Sequence, residues 1–132
     1  MARYLLDSNL CIRVLRYRPP SLLARFNEAA DALSISTIVA NELLYGAARS
    51  ARPAQNRREV EDFCGRLEVL AFDYEAADHA ADIRAALASK GLAIGGFDAL
   101  IAGHARSRGL IVVTGNTGEF SRVAGLRCED WV

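Results

Sequence analysis

The chain has 132 residues, 52% of them apolar, and its 16 basic side chains are balanced by 16 acidic ones. That combination describes one compact domain over residues 1–132 and excludes a disordered chain. Its longest charge-free stretches, residues 32–41 and 109–118, have 10 residues each, about half of the roughly 20 that cross a bilayer, and zero net charge excludes nucleic-acid binding by bulk electrostatics alone.

The first element is a short apolar run, residues 3–6 (RYLL), that stops at Asp7. No apolar region with a cleavage site precedes it, so no secretion signal is expected and the cytoplasm is the predicted compartment. A helix is predicted from near Ser8 to the pair Pro19 and Pro20, and a second opens there, since proline is tolerated in a helix's first turn. Residues 33–36 (LSIS) form the next strand. Pro53 divides two helices at about 37–51 and 54–66. Residues 69–72 (VLAF) are a third strand, followed by an Ala-rich helix over 74–90 that Gly91 stops. A helix over 97–108 ends at Gly109, and 110–114 (LIVVT) is the fourth strand. Residues 126–128 add a short edge strand. Buried strands alternating with helices predict an α/β domain with helices on both faces of a mostly parallel sheet, without fixing the strand order.

Cys11, Cys64 and Cys128 have no Cys-x-x-Cys spacing and are expected to be reduced, buried and apolar in role. Of the 16 cations only Lys90 is a lysine. Arginine is the better fork for phosphate, although an Ala- and Arg-rich composition is also what a GC-rich coding sequence produces.

Several acids stand where chemistry is possible. Asp7 lies between a strand and a helix in LLDSN, either as an N-cap or in the crevice at the carboxyl ends of the strands, where α/β sheets bind ligands. Glu42 sits within STIVANELLYGAA, with Ile38 and Tyr45 on its own helical face and Leu43 and Leu44 beside it. It occupies either a narrow exposed stripe or a site with a positive partner, because an unpaired buried charge costs several kcal/mol. Asp98 follows Gly95, Gly96 and Phe97 in the first turn of a helix, where a capping role is equally sound. Asn116 and Glu119 follow the strand LIVVT, spaced like a helix N-cap and its third residue. If these acids converge, they repel one another unless a cation neutralises them, and hard oxygen ligands select Mg²⁺ or Mn²⁺. Such a site can polarise a phosphodiester and deprotonate water.

Four segments, LLDSN, STIVANELLYGA, GGFDALIAGHARSRGLIVVTGNTGEF and the closing GLRCEDW, resemble in order and spacing the PIN-domain toxins of the VapC type. The resemblance covers essentially the whole chain. It implies a three-layer α/β/α fold, Mg²⁺- or Mn²⁺-dependent endoribonuclease activity on structured RNA such as tRNA, and an antitoxin of the VapB type as partner. A homodimer joined to antitoxin chains is the implied assembly. Metal-binding roles fall on Asp7, Glu42 and Asp98. At the fourth corner many relatives place Asp, whereas this chain has Asn116 with Glu119 three positions later, and both are counted with the catalytic set. Ser8 stands where Thr is frequent, and Gly96 where Pro is. The antitoxin is expected in an apolar groove between the first helices and the helix carrying Leu43, Leu44 and Tyr45.

Competing readings are weaker. His79 and His104 are candidate general bases, but each is expected to be a surface or packing residue. No Gly-x-Gly-x-x-Gly follows the first strand. A phosphoaspartyl protein with Asp7 as acceptor would need a second Asp where Asn9 stands, and a pure binding module would use the acids only as caps. Arg13, Arg16, Arg18 and Arg25, and then Arg49, Arg52, Arg57 and Arg58, are either grips for RNA phosphates or solvated faces.

Overall fold

The computed structural model describes residues 1–131. Five strands, β1 (Tyr4–Leu6), β2 (Leu33–Ser36), β3 (Glu68–Leu70), β4 (Ile111–Val113) and β5 (Arg127–Glu129), form one sheet in the order β3-β2-β1-β4-β5. Every pairing is parallel, which sharpens the expected mostly parallel sheet. Helices α1 (Ser8–Ile12), α2 (Pro20–Glu28), α3 (Thr37–Ala48), α4 (Pro53–Gly65), α5 (Tyr74–Ser89), α6 (Gly96–Arg108) and α7 (Thr117–Phe120) flank it in an α/β/α arrangement. Among the described residues no helix is long and apolar enough to cross a membrane.

The punctuation follows the sequence. Proline lies in the first turn of α2 and α4, and Gly109 ends α6 in the left-handed region at φ +66°. The helix expected from Ser8 to Pro19 is instead two pieces, because a π-helical turn (Arg13–Tyr17) follows α1 directly. Two strands shift. The third is expected over 69–72 but pairs over Glu68–Leu70, since the Phe72 N–H leaves the ladder and donates to Thr37 Oγ1 at 3.1 Å. The last lies over Arg127–Glu129 rather than 126–128, in register with β4 from Ile111 to Val113.

The core joins Leu5, Leu6, Ile35 and Val112 of the sheet to Leu10, Leu22, Val39 and Phe63 of the helices. Phe26 stacks on Phe63 with ring centroids 5.8 Å apart. At the C-terminus the buried Trp131 ring packs edge-on to Tyr4 at 5.0 Å, carries the Arg25 guanidinium 4.8 Å away, and donates from Nε1 to Glu129 at 3.0 Å. Of the cysteines only Cys11 is fully buried, whereas Cys64 and Cys128 are half-buried, and all three are free. Burial first, with the negative Asp7 and Glu42 adding to it, pushes the Cys11 thiol well up, so it stays protonated.

α5 and α6 pack with almost no space between them. A Cβ added at Gly103 would lie 2.5 Å from the Ala80 amide nitrogen and 2.6 Å from its Cα, so glycine lets the two backbones meet. Arg106 clamps the same pair, donating from Nε to His79 Nδ1 at 2.9 Å and from Nη2 to Asp82 at 2.7 Å, while its Nη1 donates to the Ala124 carbonyl at 3.1 Å. Gly103→Ala should therefore destabilise the protein by about 1–3 kcal/mol or more, since neither backbone can yield without parting the helices. Urea denaturation measures it, and a wild-type midpoint would show that the helices separate freely.

Candidate active site

In a parallel sheet of this order the connections diverge to either side between β1 and β4, which opens a crevice at the strands' carboxyl ends. β1 and β4 pair with Leu6 opposite Val113, so the two residues that follow, Asp7 and Thr114, emerge side by side at that crevice. The Asp7 N–H continues the ladder to the Val113 carbonyl at 3.1 Å.

Asp7 is an N-cap and also stands at the crevice, so the two placements considered for it are compatible. It is the N-cap of α1, with Oδ1 accepting from the Leu10 N–H at 2.9 Å, while Oδ2 accepts from the Thr114 hydroxyl at 2.5 Å. The Thr114 oxygen in turn accepts the Asn116 N–H at 2.9 Å, which turns its own proton toward Asp7. Burial nonetheless raises the Asp7 carboxyl above its ordinary range, against the lowering pull of Thr114, the Leu10 N–H and Arg13.

Glu42 reaches this crevice from α3. It is half-buried, and its partner is a hydroxyl rather than a cation, with Ser8 Oγ donating to Oε1 at 2.7 Å. Asp98 lies in the first turn of α6 but is not the cap, because Gly95 holds that position. Its carboxyl is pushed up to about 6, first by desolvation and then by Glu119, Asp7 and Glu42. Asp98 thus feels three other acids, each from a separate segment of the chain, across a single crevice. Asn116 precedes α7 but does not cap it with its side chain. Its amide instead donates to Glu119 Oε2 at 2.8 Å and holds that carboxylate. Oxygen donors of this kind suit a hard divalent cation. Among the described residues no three acidic, histidine or cysteine side chains close into a ready-made ligand cage.

Neither histidine belongs to this group. His79 accepts from Arg106, and His104 is fully buried on α6 with its ring edge-on to Phe72 at 5.5 Å. Burial lowers its pKa and favours the neutral ring. The apolar groove beside the site is lined by Ile12, Leu15, Leu43, Ala47 and Val60, with Glu42 and Arg16 at its wall and a volume of 170 Å³. The groove lies against the helix expected, α3, which turns Leu43, Gly46 and Ala47 toward it by helical spacing. Tyr45 is exposed and receives a hydrogen bond from Arg49 at 3.0 Å. The Ser8 and Thr114 hydroxyls hold two of these carboxylates, a positioning part that the sequence does not assign to either residue. The signal available was a hydroxyl next to each strand end and acid.

The fold and these acids define a PIN domain: the model of that family matches residues 4–126. The chain is 49% identical over 131 residues to the tRNA(fMet)-specific endonuclease VapC of Shigella flexneri and 45% identical over 132 residues to ribonuclease VapC2 of Haemophilus influenzae. Those alignments cover 99% of both chains and 100% of both chains. Its structure superposes on that of DNA-bound VapBC from Salmonella typhimurium with a TM-score of 0.96, at 48% identity and 100% coverage of both chains. VapBC2 from Rickettsia felis gives 0.92 at 34% identity, with 98% of both chains covered. The chain belongs to the PIN domain family and, within it, to the VapC ribonucleases.

The raised Asp98 carboxyl has a measurable consequence. Its ordinary pKa is 3.8, so between that value and about 6 the folded state binds the proton better than the unfolded chain does. The group's contribution to stability is therefore greatest in acid and falls as pH rises through 6. In metal-free buffer at about pH 7.5, Asp98→Asn should be more stable than wild type by about 1 kcal/mol, allowing for solvent screening, and the gap should close toward about pH 4. Denaturation across that range checks it, and a gap independent of pH would mean that the Asp98 carboxyl is not raised in the folded state.

Proposed function

We propose that this chain is a divalent-metal-dependent endoribonuclease, the toxin of a toxin-antitoxin pair, which hydrolyses phosphodiester bonds in structured RNA. The observation that carries this reading is the gathering of Asp7, Glu42, Asp98 and Glu119 at one end of the sheet, where burial and the other three acids raise the Asp98 carboxyl and a cation would relieve the repulsion. Asp7, Glu42 and Asp98 would hold Mg²⁺, with Mn²⁺ as a substitute, and Asn116 positions Glu119 as the fourth acid. Bound there, the ion supplies Lewis-acid polarisation of the scissile phosphate and a water acidic enough to be ionised near neutral pH. Thr114 and the Leu10 N–H keep the Asp7 carboxylate in one orientation, and Ser8 does the same for Glu42, so the acids are placed before RNA arrives. Water rather than the ribose 2′-hydroxyl is then the nucleophile, and both histidines stand outside the reaction.

The substrate follows from the relatives named as tRNA(fMet)-specific endonucleases, so initiator tRNA is the RNA of first choice. The partner is a VapB-type antitoxin, with its apolar segment in the groove between α1 and the α3–α4 pair. Glu42 stands at the groove's wall, so a guanidinium from the antitoxin beside it would take the place of the cation. Exposed Leu92 and Phe97, next to the Ala-rich face of α5, offer apolar surface for a second copy. Such a substrate and partner place the protein in the cytoplasm.

Incubation of the purified protein with initiator tRNA tests this reading. Cleavage should require Mg²⁺, stop with EDTA, and leave 5′-phosphate and 3′-hydroxyl ends. Asp7→Asn, Glu42→Gln and Asp98→Asn should each lower the rate at least 100-fold while the fold survives, because each removes charge but little packing. A single 2′-deoxy residue 5′ to the cut should slow the reaction by about tenfold or less, the worth of one lost contact. Cyclic-phosphate ends, with complete loss on that substitution, would overturn hydrolysis by water.

A further inference from the structure

The π-helical turn after α1 leaves a pocket that the acidic site does not use. The Arg18 N–H bonds to the Arg13 carbonyl at 2.8 Å, five residues back, and Arg18 closes the turn in the left-handed region at φ 50°. One extra residue per turn rotates the side chains that follow, a distortion frequent at functional sites. Here Arg13 and Tyr17 line one side of a 510 Å³ pocket, with Asn9 beside them and Gly115 and Asn116 of the β4–α7 loop opposite. That volume falls within the roughly 300–1,000 Å³ of small-molecule sites.

The chemistry of the lining is specific. Tyr17 is 75% exposed, an aromatic surface left in water where a core residue would be covered. Arg13 is exposed yet close enough to Asp7 for its charge to be felt there, so the pocket adjoins the acidic crevice. Asn116 belongs to both, since its backbone N–H orders Thr114 at the floor of the acidic site. An exposed ring, a guanidinium and an amide are the groups that hold a single-stranded nucleotide by its base face, phosphate and base edge. A chain of zero net charge needs such local contacts, because bulk attraction to RNA is absent. The antitoxin has its own place in the apolar groove lined by Leu15 and Leu43, which contains neither Arg13 nor Tyr17.

We propose that this pocket binds the nucleotide next to the scissile phosphate, with its base stacked on Tyr17, its phosphate on Arg13 and its base edge at the Asn9 amide. The inference rests on the RNA-cleaving function above and adds the subsite that positions the strand. Tyr17 and Arg13 are binding residues, and their loss should raise KM more than it lowers kcat.

The test separates the pocket from the activity. A single-stranded heptaribonucleotide with 2-aminopurine at its centre is titrated with the protein in EDTA, where no cleavage occurs, and its fluorescence is followed. Wild type should quench the probe, Tyr17→Ala should weaken binding about tenfold and abolish the quench, and Tyr17→Trp should restore both. Arg13→Ala should weaken binding and flatten its salt dependence. In parallel, initiator tRNA is cleaved in Mg²⁺ by the same proteins. Quenching that depends on Tyr17 supports the pocket even if tRNA is left intact, in which case the catalytic reading fails alone. If the probe is not quenched, or Tyr17→Ala binds and cleaves as wild type does, the pocket is not a nucleotide subsite. Loss of antitoxin affinity in Tyr17→Ala, with RNA binding unchanged, would assign the surface to the protein partner and overturn the proposal.

Discussion

Negative charge held together at the carboxyl edge of a parallel sheet is the constraint around which this molecule is arranged. Four carboxylates that repel one another cannot be kept within reach by their own interactions, so the scaffold must hold them. Asp7 is fixed by the strand pair β1–β4 and by two donors, Glu42 by the Ser8 hydroxyl, and Glu119 by the Asn116 amide. The position of Asp98 depends on α6, and α6 is located by its contact with α5 at Gly103 and by the Arg106 clamp. A loosened helix pair would let Asp98 relax away from its neighbours, lowering its pKa and the affinity for a cation together.

The short α1 and its π-helical turn divide the surroundings of the site into two surfaces. One side carries Leu15 and Arg16 toward the groove against α3 and α4, the other carries Asn9, Arg13 and Tyr17 toward the β4–α7 loop, and Ile12 lies on the ridge between them, lining both. An uninterrupted α-helix would bring successive side chains round by 100° and could not present both sets in the same way. Glu42 borders the first surface, and Asp7 lies beside the second. On the proposed reading, an apolar partner and a polynucleotide strand would approach the same acids from different directions.

Much of this was legible in the amino-acid sequence where backbone chemistry leaves a mark. Pro20, Pro53 and Gly109 punctuate the helices where expected, and the apolar runs 3–6, 33–36 and 110–114 each contain a strand. The candidate acids and the parallel α/β class followed from the same pattern. What escaped were features with no compositional signature. The π-helical turn is an insertion of one residue into a helix, and VLRY carries nothing to announce it. The displacement of β3 depends on a hydroxyl at Thr37, 35 residues before Phe72. His79 as an acceptor for Arg106 is a tertiary choice that periodicity narrows but does not settle.

Asn116 shows why one carbon chain can serve two acids. Its backbone N–H orients Thr114, which steadies Asp7, and its side-chain amide steadies Glu119. An aspartate in its place would keep the backbone bond but set a negative oxygen against Glu119, a fifth charge in a crevice whose Asp98 is already raised to about 6. The neutral amide gives the same geometry and a donor instead. With the charge carried by Glu119, one turn further along, the longer side chain can be aimed from α7 and held at its end, while residue 116 stays uncharged at the wall of the Tyr17 pocket. Placing the fourth carboxylate on α7 thus keeps acid repulsion on the Asp98 side of the loop and leaves residue 116 neutral on the side facing Arg13, where on the proposed reading an RNA phosphate would otherwise meet a like charge.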